Sequence, residues 1–404
     1  MDEYQEIANW LSDVGGLHDV PLSASLPDPC FEMGNRRMVS FSTNNYLALA
    51  KSKGLIEAAQ SGLSKYGVGN CESRLLGGDI DLYRQLEQRL CEIKKKDSAL
   101  LFATGYLTNL GVLSSLVRSS LILRFYGFRP TKRYKYAYFS DEFNHISIRE
   151  GIRLSEAERR TYRHLDLDHL EAQLRTSDAH TKIIVSDGVF SQDGDIAPLP
   201  ELLSLANRYD ALLYIDDAHG TGVLGTHGQG IAEHFNCYDP RIIHMGTLSK
   251  AYGAIGGFVA LDRRIGENLR LTCPAYGFTS TLPPDQVLAV LAAIDIVRNE
   301  PDRRVRLWTN QAYLAAGLEN LGYELVSKQT PILPVVIGDE RRTDFYQEAL
   351  CASGFHVDSV KFPAVRLGKA RLRFIANANH TTRQIDDLLE VMRSLGEGTG
   401  KMVV

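Results

Sequence analysis

"RIIHMGTLSKAYGAIGGFVALD", residues 241–262, sets two apolar runs on either side of a glycine-rich loop that carries one lysine, Lys250. "RIIHMGT" and "GGFVALD" are short, apolar and bounded by polar or glycine residues, which reads as two buried strands. The loop between them surrounds an ammonium group with Gly246, Thr247, Ser249, Gly253, Gly256 and Gly257, none of which neutralises it. One reading is a solvated surface lysine. The other is a backbone that something approaches closely, with the lysine serving as an amine nucleophile.

Working outward, the same strand pattern recurs in "SALLFATG", "KIIVSDGVF" and "ALLYIDDAHG". Helical segments separate these runs. "DLYRQLEQRLCEIKKK" puts Leu82, Leu86, Leu90 and Ile93 on one face, another helix spans about 106–117, and Pro200 opens the helix "ELLSLANRYD". Apolar strands alternating with helices imply an α/β fold with a mainly parallel sheet covered on both faces. After an apolar helix at 285–298 the pattern changes. "PILPVVIGD" and "RLRFIAN" read as strands, and "TTRQIDDLLEVMRSL" as a helix with a Thr-x-x-Gln capping box and Ile385, Leu388, Leu389 and Met392 inward. The expected organisation is an N-terminal extension (1–48), a large domain (49–285) and a small C-terminal α+β domain (286–404).

A chain of 404 residues, 44% hydrophobic and 23% charged, is long enough for two domains around a sizeable core. A net charge of −4 gives no general attraction for nucleic acid or an anionic membrane. The six cysteines show no C-x-x-C or Cys/His ligand spacing, so a cytoplasmic protein with reduced thiols is expected. The N-terminal "MDEYQEIANWLSDVGG" is acidic and amphipathic, unlike a signal peptide. The most apolar stretch, Ala99 to Val117, contains Thr104, Asn109, glycines and serines and reads as a buried strand and helix, not a membrane span.

In an open α/β sheet, ligands sit beyond the carboxyl ends of the strands. Here those ends are "FATGY", "SDGVFSQDGD", "IDDAHGTG" and "GTLSK". Together with His145 they offer an acid pair (Asp216, Asp217), His219, the hydroxyls of Thr104, Ser191, Thr247 and Ser249, backbone amides near Gly105, and Lys250. No metal-ligand spacing links the histidines, so an organic cofactor fits better. "GAIGG" lacks the G-x-G-x-x-G spacing of a nucleotide loop and precedes a strand. Pyridoxal phosphate would use the whole set: an amine for its aldehyde, a buried carboxylate for its pyridine nitrogen, and amides and hydroxyls at a helix N-terminus for its phosphate.

At this point a family resemblance emerges. "SRLLGG", "LFATGYLTNL", "SDEFNHISIREG", "VFSQDGDIAPL", "DDAHGTGVLG", "GTLSKAYG" and "FTSTLPP" occur in the order found in the α-oxoamine synthases, fold-type I pyridoxal phosphate enzymes. The likeness runs from "FSTNNYLALA" (41–50) to "RLRFIANANHT" (371–381). It implies a seven-stranded, mainly parallel central sheet and a decarboxylative condensation of an α-amino acid with an acyl thioester, on coenzyme A or an acyl-carrier protein. It also implies residue roles. Lys250 carries the cofactor and moves the Cα proton, Asp216 pairs with the pyridine nitrogen, His219 and Ser191 bond the ring hydroxyl, and His145 stacks on the ring. Thr104, Gly105, Tyr106, Thr247 and Ser249 hold the phosphate, with Thr279 or Ser280 supplied by the second subunit of a homodimer. Asn44 and Arg373 hold the amino-acid carboxylate, and Arg74 lies with the substrate. An aminotransferase, a non-catalytic partner subunit and a carrier-binding scaffold are the rival readings.

Two stretches depart from the family pattern. "GVGNCESR" places Asn70, Cys71 and Glu72 before Arg74, where small residues are usual; Glu72 is expected to pair with Arg74 or to meet a cationic substrate group. Between Asp97 and Asp141 there is no acidic residue, while Arg118, Arg124, Arg129, Lys132, Arg133 and Lys135 are interleaved with aromatics. This segment is either a solvated basic loop or a dock for an anionic acyl carrier.

Overall fold

The computed structural model describes residues 1–13 and 22–399. Among the described residues the strands are, in chain order, β1 (Cys30–Met33), β2 (Arg36–Ser40), β3 (Ser98–Phe102), β4 (Tyr136–Asp141), β5 (Glu158–Tyr162), β6 (Thr181–Asp187), β7 (Ala211–Asp216), β8 (Ile242–Thr247), β9 (Gly257–Leu261), β10 (Ile332–Gly338), β11 (Phe355–His356), β12 (Asp358–Val360) and β13 (Ala370–Ile375). Both apolar runs that flank Lys250 are strands, β8 and β9.

Seven strands form the central sheet in the order β3-β9-β8-β7-β6-β4-β5. Pairing is parallel from β8 through β7, β6 and β4 to β5, and antiparallel only where β9 meets β8 and β3. Side chains alternate between two apolar layers with the period of a strand. On β3, Leu100 and Phe102 enter one layer and Ala99 and Leu101 the other; on β6, Ile183 and Val185 oppose Ile184. Burial on both faces explains why these strands read as continuous apolar runs.

The helix expected at 106–117 spans Gly105–Leu116 and starts on Thr104, whose hydroxyl accepts from the Leu107 N–H at 3.1 Å. It leaves the carboxyl end of β3 and runs back across the sheet. The segment that follows, with a short helix at Ser119–Leu123 and a turn at Arg124–Tyr126, therefore sits at the amino-terminal edge where β4 begins. Among the described residues no single helix is long and apolar enough to cross a membrane.

The C-terminal layer holds the antiparallel sheet β10-β13-β12 and a third apolar cluster that includes Leu314, Leu333, Val335, Tyr346, Leu372, Phe374, Ile385, Leu388 and Met392. Its last helix, Thr382–Thr399, opens with the predicted capping box: the Thr381 N–H donates to Gln384 Oε1 at 2.9 Å and the Gln384 N–H to Thr381 Oγ1 at 3.3 Å. Part of the segment assigned by sequence to an N-terminal extension joins this layer. β2 pairs in parallel with β11, Phe41 lies in the same cluster, and the Ile375 N–H donates to the Phe41 carbonyl at 2.6 Å. The helix Asp2–Asp13 has no buried residue, and the rest of the quoted N-terminal stretch, from residue 14, lies outside the described residues.

Candidate active site

β6, β7 and β8 end on Asp187, Asp216 and Thr247, and these three ends open onto one cavity of about 270 Å³. Thr104, Gly105, Tyr106, His145, Ser191, His219, Ser249 and Lys250 line the same space. Parallel strands bring their carboxyl ends together by construction, so residues more than 140 positions apart meet there.

The two adjacent aspartates are sent to different places. Asp216 faces the cavity and accepts from Asn109 Nδ2 at 2.7 Å and from the Ala218 N–H at 3.1 Å. Asp217 is fully buried against Lys94, at 2.6 Å, and also accepts from the Ile231 N–H and the Thr221 hydroxyl. It is part of the core, and removing either charge of such a pair costs about 3–5 kcal/mol.

Burial is the largest influence on Lys250 and brings its pKa down from 10.5 to about 8, against the opposing pull of Asp216 and Asp187. Its Nζ lies 2.9 Å from His219 Nε2, and the other ring nitrogen of His219 lies 2.6 Å from the Tyr46 hydroxyl. Burial, then Lys250, push His219 well below the ordinary histidine value, so its ring is neutral. Burial and the charge of Asp216 push the Asp187 carboxyl well above the usual carboxylate range; Asp187 accepts from the His145 N–H at 3.1 Å. The Asp187 carboxyl is thus held toward its neutral form beside Asp216.

The glycines around Lys250 answer the question their presence raises. A Cβ on Gly257 would lie 2.6 Å from the Gly105 nitrogen and 2.6 Å from the Thr104 carbonyl oxygen, so only glycine lets β9 pass the start of the helix. Gly253 has φ +66°, and a Cβ there would lie 2.5 Å from the Ala50 nitrogen. The close approach is made by the protein's own backbone, and Gly105 and Tyr106, whose amides at the helix start have no intrahelical acceptor, line the cavity with Thr247 and Ser249. The hydroxyls of Thr247 and Ser249 are 2.8 Å apart. An amide-and-hydroxyl cradle at a helix N-terminus, a buried carboxylate and a buried amine of lowered pKa fit the phosphate, pyridine nitrogen and aldehyde of pyridoxal phosphate.

The remaining predicted residues divide. Arg373 is buried, donates from Nε to the Ser191 carbonyl, and lies close enough to act electrostatically on Lys250 and His219. Asn44 accepts from the Tyr46 hydroxyl at 3.4 Å, one bond removed from His219. Thr279 and Ser280 do not line this chain's cavity.

Arg74 is engaged elsewhere in this chain. It is absent from the cavity wall, its guanidinium is bound to Asp79 and to Glu87 at 2.7 Å, and it packs over the rings of Tyr83 and Tyr276. Glu72 is not its partner; the Glu72 carboxylate lies against Gly77. Glu87 lies thirteen positions on, inside the helix Asp81–Lys94, and no local pattern links it to Arg74 in the preceding turn. Asn109, Ser147, Asp187 and Tyr46 are site residues that the sequence reading missed. The one available signal was Asn109, a polar side chain inside an otherwise apolar helix, which must find a partner when buried.

Comparison with known proteins agrees with this geometry. The model of the aminotransferase class I and II family matches residues 36–392. The chain is 39% identical to 8-amino-7-oxononanoate synthase 1 of Bacillus subtilis, over 93% of this chain and 92% of that one. It is 35% identical to 8-amino-7-oxononanoate synthase of Petrotoga mobilis over the full length of both. Among solved structures, serine palmitoyltransferase from S. paucimobilis with PLP and myriocin bound superposes with a TM-score of 0.88 at 28% identity, covering 99% of this chain and 98% of that one. This chain is therefore a fold-type I protein that belongs to the aminotransferase class I and II family, in its α-oxoamine synthase branch.

Proposed function

We propose that this chain joins the Cα of an α-amino acid to the acyl carbon of a thioester, releasing carbon dioxide, free thiol and an α-amino ketone. It is a pyridoxal phosphate-dependent acyltransferase, and the name of its relatives, 8-amino-7-oxononanoate synthase, itself spells an α-amino ketone product. One observation carries the reading: a buried amine of pKa about 8 shares a cavity with a buried carboxylate and a helix N-terminus.

When bound, pyridoxal phosphate supplies an electron sink for negative charge at the substrate Cα. Lys250 would hold its aldehyde and would take the Cα proton of the substrate; a pKa near 8 leaves a usable fraction of free amine at neutral pH. Asp216, held by Asn109 and the Ala218 amide, keeps the pyridine nitrogen protonated. Gly105, Tyr106, Thr104, Thr247 and Ser249 bind the phosphate, and Thr279 or Ser280 from a second copy completes that cradle in a homodimer. His219 and Ser191 hold the ring hydroxyl. Arg373 and Asn44 grip the substrate carboxylate until it leaves as carbon dioxide. His145, which lines the same cavity, would pack against the ring and donate a hydrogen bond to the acyl oxygen as charge develops there.

The test is reconstitution with pyridoxal phosphate, borohydride reduction and peptide mass analysis, followed by panels of amino acids and acyl thioesters with thiol release and ketone mass as readouts. A label on Lys250 together with thiol release is expected. A labelled lysine elsewhere, or amino-group transfer with no thiol released, would replace this reading.

A further inference from the structure

Beneath the cavity floor the hydrogen bonds run in one direction. The Tyr214 hydroxyl lies 2.7 Å from Asn109 Oδ1, and since a carboxamide oxygen only accepts, Tyr214 donates. That orients the amide. Asn109 Nδ2 then directs its two protons to Asp216 Oδ2 at 2.7 Å and to Ser147 Oγ at 2.9 Å. The flipped amide would set an oxygen against the Asp216 carboxylate, two acceptors face to face.

Because Ser147 Oγ already accepts from Asn109, its own proton is directed to His145 Nδ1, 2.7 Å away. The Ser147 backbone N–H points at the same nitrogen at 3.3 Å, with His145 acting as the N-cap of the helix Ile146–Ser155. A backbone N–H can only donate, so Nδ1 presents its lone pair and the ring proton resides on Nε2.

We infer that Tyr214, Asn109 and Ser147 form a directional relay that holds His145 as the neutral Nε2–H tautomer, and that Asn109 locks this histidine and Asp216 into a single arrangement. All three are positioning residues. The use of the Nε2 proton as a donor to the acyl oxygen rests on the function proposed above; the tautomer itself does not. The charged or titratable groups that face the ring are Asp216, Asp187, Lys250 and Arg149, together with the edge of Tyr106. Desolvation of the ring lowers the His145 pKa despite the pull of Asp216, in keeping with a neutral imidazole.

The experiment is 15N NMR of the full chain with labelled histidine, with and without pyridoxal phosphate, His145 being assigned by the signal lost in His145→Gln. The expected wild-type spectrum has a proton on Nε2 and none on Nδ1 between about pH 6 and 8. In Asn109→Asp the new carboxylate accepts the Ser147 proton, so Nδ1 loses its hydroxyl donor and the His145 pKa rises by about one unit, a tenfold change in proton affinity. If that variant does not fold, Ser147→Ala gives the same direction with a smaller rise, since the backbone donor remains. A proton on Nδ1 in the wild type, or a folded variant of either kind that titrates like the wild type, overturns the relay. Failure of amino ketone formation with the wild-type tautomer intact would overturn the proposed function and leave the relay standing.

Discussion

The cavity floor and the basic segment 118–135 are both rich in polar groups, yet they treat them in opposite ways. In the floor, Tyr214, Asn109, Ser147 and Asp216 are buried and each has a bonded partner. In the segment, Arg118, Arg124, Arg129, Lys132 and Arg133 have no acidic partner within 4 Å among the described residues, and Phe125 and Tyr126 are 89% and 80% exposed. Lys135 alone pairs, with Asp178 on the surface. Leaving a buried polar group without a partner costs about 1–3 kcal/mol, so the floor must settle on one bonding pattern, whereas solvated charges need not choose. Only the floor can preset the direction of a proton. The segment follows the helix Gly105–Leu116 and precedes the start of β4, whereas the cavity lies at the carboxyl ends of β6, β7 and β8.

The comparison can be broken at several points, the largest effect first. Lys250→Ala should lower turnover by about 10³-fold or more and abolish the borohydride-trapped label, while the chain stays folded. Asp216→Asn should lower kcat by about 10²–10³-fold with the label on Lys250 retained, because the amine still attaches the aldehyde but the ring loses its charge partner. Loss of the label in this variant would show that Asp216 acts on cofactor binding instead.

Arg74→Met removes the 2.7 Å partner of buried Glu87, which keeps Arg270 at 2.8 Å, and should cost about 1–3 kcal/mol in urea unfolding. A normal midpoint with a raised KM would return Arg74 to the substrate. Lys250 is expected to give a smaller, pH-dependent signature in the cofactor-free chain. Its folded pKa of about 8 lies below the ordinary 10.5, so between these values the unfolded chain holds a proton that the folded chain has released. Stability should therefore rise with pH through that window, and Lys250→Met should flatten the slope. The smallest effect belongs to the basic segment: Lys132→Glu with Arg133→Glu should change stability by no more than about 0.5 kcal/mol and leave KM for the acyl donor unaltered. A raised KM would restore the docking reading.

How far the site could be read from sequence follows from what kind of information each residue carries. Thr104, Gly105, Ser191, Asp216, His219, Thr247 and Lys250 are legible because they sit at strand ends, where polarity interrupts an apolar run. Asp187 occupies an equivalent position on β6 and pairs in register with Asp216, but its importance is visible only once the strands are adjacent. Tyr46 and Ser147 reach the site through hydroxyl bonds to His219 and His145, and nothing in their local sequence announces that. The pairing of β2 with β11, joining residues over 300 positions apart, is likewise outside the reach of any local pattern.

Sequence alone determined the alternation of strands and helices, the solitary lysine among small residues, and the set of chemical groups gathered at strand ends, because apolar periodicity and residue type are local properties. Tertiary structure decided which of two neighbouring aspartates meets the cavity, which carboxylates hold Arg74, and which nitrogen of His145 bears its proton. These are matters of direction and partner, and a side chain acquires both only when the rest of the chain has packed around it.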